Sequence, residues 1–245
     1  MRADQTSTTP AAQPRRSFVY RLLQAAGARF ATVNGGAAAL DFNRPADQEI
    51  AQARELGLAD LSALPRSGFK GAGTVDWLAA QGLQVGDDSN KAYRQPCGTL
   101  AARLAPAEVL LLDGLEGAGA TIIRLDQAWA WGAERPRRLI GYPMPRSESH
   151  AWFMVCGRLA PAMFAKICGV DLRSRCFAEG AIAQTSVAKM NAILIRADLG
   201  AAPGFHVLAD SASAEYLWGC IADAMEEFGG APVGLAALRD ARRQS

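Results

Sequence analysis

The chain reads as an α+β protein made of two βαββ(α) units of the ferredoxin-like, split βαβ kind, packed together. Three observations predict this. Between residues 148 and 230 the patterns run strand, helix, two strands, helix, which is the order of helices laid on one face of a mixed sheet. The stretch from Asp60 to Leu112 repeats that plan, setting Gly71 against Gly157 and Trp77-Leu78 against Met163-Phe164. Half of the 245 residues are apolar, enough to bury a core without disulfides or metals.

Residues 1–16, rich in Thr, Ala, Pro and Gln, read as a disordered tail. Arg15-Arg16-Ser-Phe-Val resembles the start of a twin-arginine export signal. Arg21 and Arg29 interrupt the apolar stretch that such a signal needs, so a short amphipathic helix from Tyr20 is the better reading. In the first unit, residues 17–113, Asn34-Gly35-Gly36 marks a hairpin over Phe30 to Phe42. Asp47 offers a cap for a helix through Glu55 that Gly57 closes, and Asp60 to Gly71 reads as extended. Thr74 caps a helix carrying Val75, Trp77 and Leu78, stopped by Gly82. Gly98 to Leu104 and Glu108 to Leu112 form a hairpin around Ala105-Pro106-Ala107.

Residues 114–148 read as an irregular linker or docking arm, because Arg135-Pro-Arg-Arg138 and Tyr142-Pro-Met-Pro-Arg146 place prolines against regular structure. Exposed Trp, Tyr and Arg are enriched at protein interfaces, which makes Trp129, Trp131, Arg135, Arg137, Arg138 and Tyr142 the candidate partner surface. The second unit, residues 149–245, opens with the apolar run His150 to Val155. Gly157 follows, then a helix led by Pro161 with Met163, Phe164 and Ile167 on it. Ser186 to Arg196 and Gly204 to Ala209 read as two strands joined by a turn-rich segment. A last helix has Asp210 or Ser211 at its start, the stripe Leu217, Cys220, Ile221, Ala224 and Phe228, and a Gly229-Gly230 stop.

Charge and composition exclude several functions. A net charge of +2 with dispersed Lys and Arg gives no footprint for nucleic acid. No apolar run approaches the roughly 20 residues that a membrane helix needs. Five cysteines at irregular spacing fit reduced thiols in a cytoplasm better than a disulfide framework, and with only two histidines no metal site is expected.

No catalytic constellation stands out. Gly68-Phe-Lys-Gly-Ala-Gly-Thr74 lacks Walker spacing, and its glycines read as shaping a strand-to-helix turn. His150 and His206 lie at the edge and inside of apolar strands with no local nucleophile, so both read as structural. Cys176 follows Arg173 and Arg175 without an identifiable base. Asp113, Asp126, Asp171 and Asp210 fall at element ends, where carboxylates serve caps and turns. Arg66, Lys70 and Arg94 read as solvated surface charges that could meet carboxylates.

A family resemblance rests on Glu55-Leu-Gly-Leu-Ala-Asp-Leu-Ser62, Phe69-Lys-Gly71 and Trp77-Leu78 in the first unit. In the second it rests on Gly157, Met163 to Leu172, Phe177-Ala-Glu-Gly180, Gln184 to Ala188 and Ala212 to Trp218. These residues resemble the aminomethyltransferase family typified by the glycine-cleavage T protein, and most closely the gamma subunits of heterotetrameric sarcosine oxidases. The resemblance implies a T-protein-like fold. It also implies an accessory role beside alpha, beta and delta subunits, with FAD, FMN, NAD and tetrahydrofolate held by those partners and no cofactor or catalytic residue in this chain. The acidic residue that polarises folate in the T protein has no counterpart, since Asn34-Gly35-Gly36 lies too early and lacks a following acid pair. The second expectation, a stand-alone tetrahydrofolate-dependent aminomethyltransferase, demethylase or folate-binding protein, requires a pocket between the units, and turnover requires a carboxylate facing it.

Overall fold

The computed structural model describes residues 7–129 and 141–244. At its start, β1 (Ser7–Thr8), β2 (Arg15–Arg16), α1 (Tyr20–Ala25), β3 (Arg29–Val33) and β4 (Gly36–Asp41) make a four-stranded sheet of order β1-β3-β4-β2, with α1 leading into β3. Residues 7–16, expected as part of a disordered tail, are therefore ordered, with Ser7–Thr8 and Arg15–Arg16 in the sheet and a 3₁₀ turn at Pro10–Ala12 between them. Arg15 and Arg16 pair with Gly36 and Ala37, and the Gln13 amide donates to the Thr8 and Thr32 hydroxyls at 2.9 and 3.0 Å. Two-residue strands held by long-range pairing leave no compositional trace. The expected turn is present, with Asn34 and Gly35 at φ of 47° and 71° as a two-residue primed turn requires.

Next come α2 (Ala46–Leu56), β5 (Gly57–Asp60), β6 (Arg66–Lys70), α3 (Thr74–Ala80), β7 (Lys91–Arg94), β8 (Leu100–Ala105) and β9 (Glu108–Leu112). Gly73 rather than Thr74 occupies the cap of α3, and the Thr74 hydroxyl is buried without a partner. The span expected to be irregular holds α4 (Ala120–Ala128), whose Ile122 and Leu125 are buried, and β10 (Tyr142–Pro143). The second unit runs β11 (His150–Cys156), α5 (Ala160–Phe164), β12 (Ile182–Val187), β13 (Met190–Arg196), β14 (Gly204–Asp210) and α6 (Ala214–Glu226). Asp210 caps the turn that leads into α6, accepting from the Ala212 N–H at 2.8 Å. The run Ser186 to Arg196 is not one strand: Ala188 and Lys189, at φ of 49° and 65°, turn it into the β12–β13 hairpin. Finally β15 (Ala231–Pro232) and α7 (Leu235–Arg243) close the chain, and neither was anticipated.

The repeat is realised with its first strands exchanged. One sheet has the order β10-β6-β9-β8-β7 and the other β12-β13-β14-β11-β5-β15. In each, strand β6 or β11 is followed by a helix, a hairpin and a third strand, and β9 or β14 lies beside it. The leading strand of each half adds to the sheet of the other: β5 pairs with β11, and β10 pairs with β6. Sheet pairing thus ties residues 57–60 to the second half and 142–143 to the first.

Alternation along the strands of the two larger sheets assigns their buried side chains to layers. Phe153, Val155, Leu194 and Val207 face α5 and α6 through Met163, Phe164, Leu217 and Ile221. Ala101, Val109 and Leu111 face α3 and α4 through Leu78, Ile122 and Leu125. The opposite positions, Trp152, Met154, Ile195 and Leu208 of one sheet and Ala102, Leu104, Leu110 and Leu112 of the other, share a third cluster. The result is helices, sheet, sheet, helices, with a central apolar layer between the repeats. Gly157 sits where β11 meets the end of α2. Its φ is 113°, and a Cβ there would lie 2.4 Å from the Glu55 carbonyl.

Candidate functional site

The space between the two sheets is mostly apolar, and its few polar groups decide what it can do. On the inner face of β11 and β14, Trp152 Nε1 donates to His206 Nδ1 at 3.0 Å. Indole nitrogen only donates, so His206 is the tautomer with its proton on Nε2. Burial above all, then Arg94 and Arg242, pushes its pKa down to about 3. His206 is a neutral imidazole at physiological pH.

Arg66 was expected on the surface and is instead 2% exposed. It begins β6, and its guanidinium donates to five carbonyls: Arg146 at 3.1 Å, Ser62 at 2.8 Å, Leu64 at 3.3 Å, Ser147 at 2.7 Å and His150 at 2.6 Å. Burial pushes its pKa down to about 10, with Asp60 opposing. It joins the chain after β5 to the chain before β11. Beside it, Arg146 Nη2 reaches Glu108 at 2.5 Å and Nη1 reaches His150 Nε2 at 3.1 Å. Arginine has no acceptor, so His150 accepts at Nε2, and its Nδ1–H donates to the Ser149 hydroxyl at 2.8 Å. Burial first, then Arg146 and Arg66, lowers the His150 pKa to about 4. With its lone pair engaged, His150 is a poor general base. Both histidines therefore take the structural roles expected of them.

Among the described residues, two spaces beside the central layer bear on this question. A groove of about 440 Å³ runs over β12, β13 and β14, lined by His150, Gln184, Ser186, Asn191, Ile193 and Leu208 among others, none of them acidic. The second is a cavity of about 20 Å³ whose lining includes Arg94, Gly98, Asp113, Asp198, His206 and Arg242. Asp113 accepts from the Gly119 N–H at 2.7 Å, and burial raises its pKa. Asp198 is held bidentately by Arg196 at 2.8 Å on each oxygen. Between the sheets, room and acid are thus in different places; a groove of about 520 Å³ whose lining includes Asp223 lies on the far side of its sheet, beside α6. The residues between the sheets do not fit a pterin held against a carboxylate, since ligand pockets typically span about 300–1,000 Å³.

Of the candidate interface residues, Tyr142 is 51% exposed on β10, the edge strand of its sheet. Trp129 is 6% exposed, with its ring 5.3 Å from Phe69 and 4.8 Å from Trp77. Trp131, Arg135, Arg137 and Arg138 lie outside the described residues. Lys70 pairs with Glu108 at 2.9 Å and Arg94 with Glu179 at 3.3 Å. Among the acids read as caps or turns, Asp171 accepts from the Arg173 N–H at 3.1 Å, whereas Asp126 lies inside α4 and binds the Ser67 hydroxyl at 2.9 Å. Cys176 is exposed beside that loop. Among the described residues no group of His, Cys, Asp and Glu could hold a metal ion, and no helix is long and apolar enough to cross a membrane.

Sequence reasoning missed Arg242 and the meeting of Gly98 with Gly114. The unread helix α7 carries the first. A glycine at φ of 89° marks the second, where a Cβ on Gly114 would stand 3.4 Å from the Gly98 carbonyl group.

Comparison with family models and with curated proteins returns no match. Solved structures do match in fold. One chain of the heterotetrameric sarcosine oxidase from Corynebacterium sp. U-96, in complex with pyrrole 2-carboxylate, is 21% identical with a TM-score of 0.64, covering 91% of this chain and 100% of that one. The glycine cleavage system aminomethyltransferase T from Bartonella henselae is 19% identical with a TM-score of 0.69, covering 93% of this chain. The chain spans 62% of the length of that aminomethyltransferase. The fold is the T-protein-like α+β fold that the sequence predicted.

Proposed function

We propose that this chain is an accessory, gamma-type subunit of a flavin-dependent heterotetrameric oxidase or dehydrogenase acting on sarcosine or another N-methyl amino acid. The observation that carries the reading is the separation of room from acid between the sheets. The groove of about 440 Å³ has no carboxylate in its lining, and the cavity holding Asp113 and Asp198 measures about 20 Å³. A folate-dependent transferase needs both in one pocket. The central layer is instead filled by Trp152, Met154, Leu110 and Leu112, which suits a scaffold better than an active site. Full coverage of one oxidase chain, against partial coverage of the aminomethyltransferase, supports the same choice.

On this reading FAD, FMN, NAD and tetrahydrofolate belong to the alpha and beta subunits, a small delta subunit completes the assembly, and the complex works in the cytoplasm. The chain's task is mechanical. It presents to the folate-binding partner a surface to which we assign Tyr142, with Trp131, Arg135, Arg137 and Arg138 as further candidate contacts. The tagged chain should co-purify from its native cells with larger subunits, and the eluate should show a yellow flavin spectrum. A colourless, monodisperse single chain that binds folate on titration would overturn the proposal.

A further inference from the structure

A sheet edge invites pairing with another chain, and proteins blunt their edges with charge, proline or shortness. Among the described residues, five of the six edge strands are blunted in one of these ways. β1, β2, β10 and β15 have two residues each, the last two with Pro143 and Pro232, and β7 carries Lys91 and Arg94. The exception is β12. Its six residues, Ile182–Val187, hold no charge and no proline, and they pair with β13 without a bulge.

The free part of this edge can be located group by group. The Arg196 N–H donates to the Ala181 carbonyl at 2.9 Å, so odd-numbered residues of β12 bond to β13 and even-numbered ones face outward. Both ends of the outward row are engaged. The Ile182 N–H reaches the Asn90 carbonyl at 2.9 Å, and the N–H of Ala188, just past the strand, reaches the Ile167 carbonyl at 2.8 Å. Between them the N–H and C=O of Gln184 and the N–H of Ser186, both exposed residues, have no partner among the described residues. At about 3.3 Å per residue, only about three extended residues fit between those brackets. A second copy laying its own β12 there would run past Gln184 and Ser186 into the places of Asn90 and Ile167. Residues paired with Gln184 and Ser186 would turn their side chains to the face that carries Ile193 and Leu208. That face holds the groove of about 440 Å³, whose lining has no Asp, Glu, Lys or Arg. A charged side chain would lose hydration there without meeting a counter-charge.

We infer that the β12 edge is a docking site for a partner protein, which adds about three extended, uncharged residues to the sheet at Gln184 and Ser186. The free backbone groups supply the affinity, and the neutral groove beside them selects the side chains. The inference rests on the accessory-subunit reading only for the existence of a partner, and needs neither flavin nor folate.

The test is amide hydrogen exchange, read residue by residue, on the full chain alone and on the assembly purified with it from its native cells. In the free chain the N–H groups of Gln184 and Ser186 should exchange fast, and those of Ala183 and Thr185 slowly. In the assembly both outward N–H groups should slow by about tenfold or more. Ser186→Pro deletes one outward donor where an edge strand tolerates proline, so it should melt like the parent and weaken assembly about tenfold. If that variant does not fold, Ser186→Lys decides: it keeps the donor, sets a charge beside the neutral groove and should also weaken assembly. An assembly in which both N–H groups stay fast and the variants bind like the parent overturns the inference and leaves the accessory reading intact. A colourless assembly that protects both groups supports the inference and overturns the flavin reading. Recovery of the chain without any partner overturns both. Protection that grows with the concentration of the chain alone assigns the edge to a second copy and overturns the inference.

Discussion

Trp152 Nε1 donates to His206 Nδ1 across 3.0 Å, and this bond fixes the tautomer of the more deeply buried histidine, which burial above all keeps neutral. The two residues stand on neighbouring antiparallel strands, diagonal in register, since Trp152 faces Leu208 and Met154 faces His206. One sheet thereby supplies both partners of a polar contact inside an otherwise apolar layer.

The buried histidine makes stability depend on pH with a definite sign. Its pKa is about 3 folded and 6.5 as a free side chain, so the unfolded chain binds a proton that the folded chain refuses between those values. The contribution is complete above the unfolded pKa and is lost as pH falls through this window, approaching about 1.4 kcal/mol per pH unit. Urea midpoints should therefore fall from pH 7 to pH 5 in the parent and fall less in His206→Gln, which keeps an acceptor for the indole. His206→Leu, which orphans the Trp152 N–H, should cost about 1–3 kcal/mol at pH 7. Equal pH slopes in the parent and His206→Gln would refute the assignment.

Two glycines should respond in opposite directions to the same substitution. Gly157→Ala places a Cβ 2.4 Å from the Glu55 backbone at a φ of 113°, where neither strand β11 nor helix α2 can yield. A loss of about 3 kcal/mol or more is expected in denaturant unfolding. Gly219 is exposed in the middle of α6, and a Cβ there meets nothing within 4 Å. Gly219→Ala should stabilise by about 0.5–1 kcal/mol through helix propensity alone.

The β12–β13 turn offers a gain from the same reasoning. Ala188 and Lys189 both hold positive φ, which costs L-residues other than Asn, Asp and Gly. Replacing the pair by Asn-Gly should add about 1 kcal/mol and raise Tm by about 2–4 °C. The hydrogen bond from the Tyr216 hydroxyl goes to the Ala188 carbonyl, a backbone group that the replacement keeps. An unchanged or lower Tm would show that the turn is not strained.

The same turns explain what could be read from the chain and what could not. Asn34-Gly35 announced a hairpin because those residue types tolerate positive φ, whereas Ala188-Lys189 carries no such mark and was absorbed into one long strand. Gly71 and Gly157 exposed the repeat because each ends an equivalent strand at positive φ. The exchange of β5 and β10 left no local signal, since pairing between distant residues is decided by tertiary packing. Helix α4 is hidden behind Gly117 and Gly119, and Arg66 looks like a surface charge because three of its five carbonyl partners, on Arg146, Ser147 and His150, come from a distant segment. The small cavity between the sheets has the same character: β7, β8, β11, β14, α7 and the loops after β7, β9 and β13 each give it one to three residues, at separations that form no motif.

The last prediction separates packing from association at the two candidate interface residues that the structure describes. Trp129 completes a cluster with Phe69 and Trp77 beneath α3 and α4, so its ring works inside this chain. Trp129→Ala should cost about 3–5 kcal/mol of stability, and any loss of partner binding should follow the fraction unfolded. Tyr142 is half exposed on an edge strand, so Tyr142→Ala should change stability by less than about 0.5 kcal/mol. If the accessory role is right and this edge faces the partner, the same change should weaken assembly by more than about 1 kcal/mol, as truncating an aromatic anchor does. Thermal melts of each variant, set beside competition pull-downs with the parent chain, separate the two effects. An assembly unaffected by Tyr142→Ala would move the interface away from β10, and a Trp129→Ala chain that melts like the parent would contradict the buried placement of that indole.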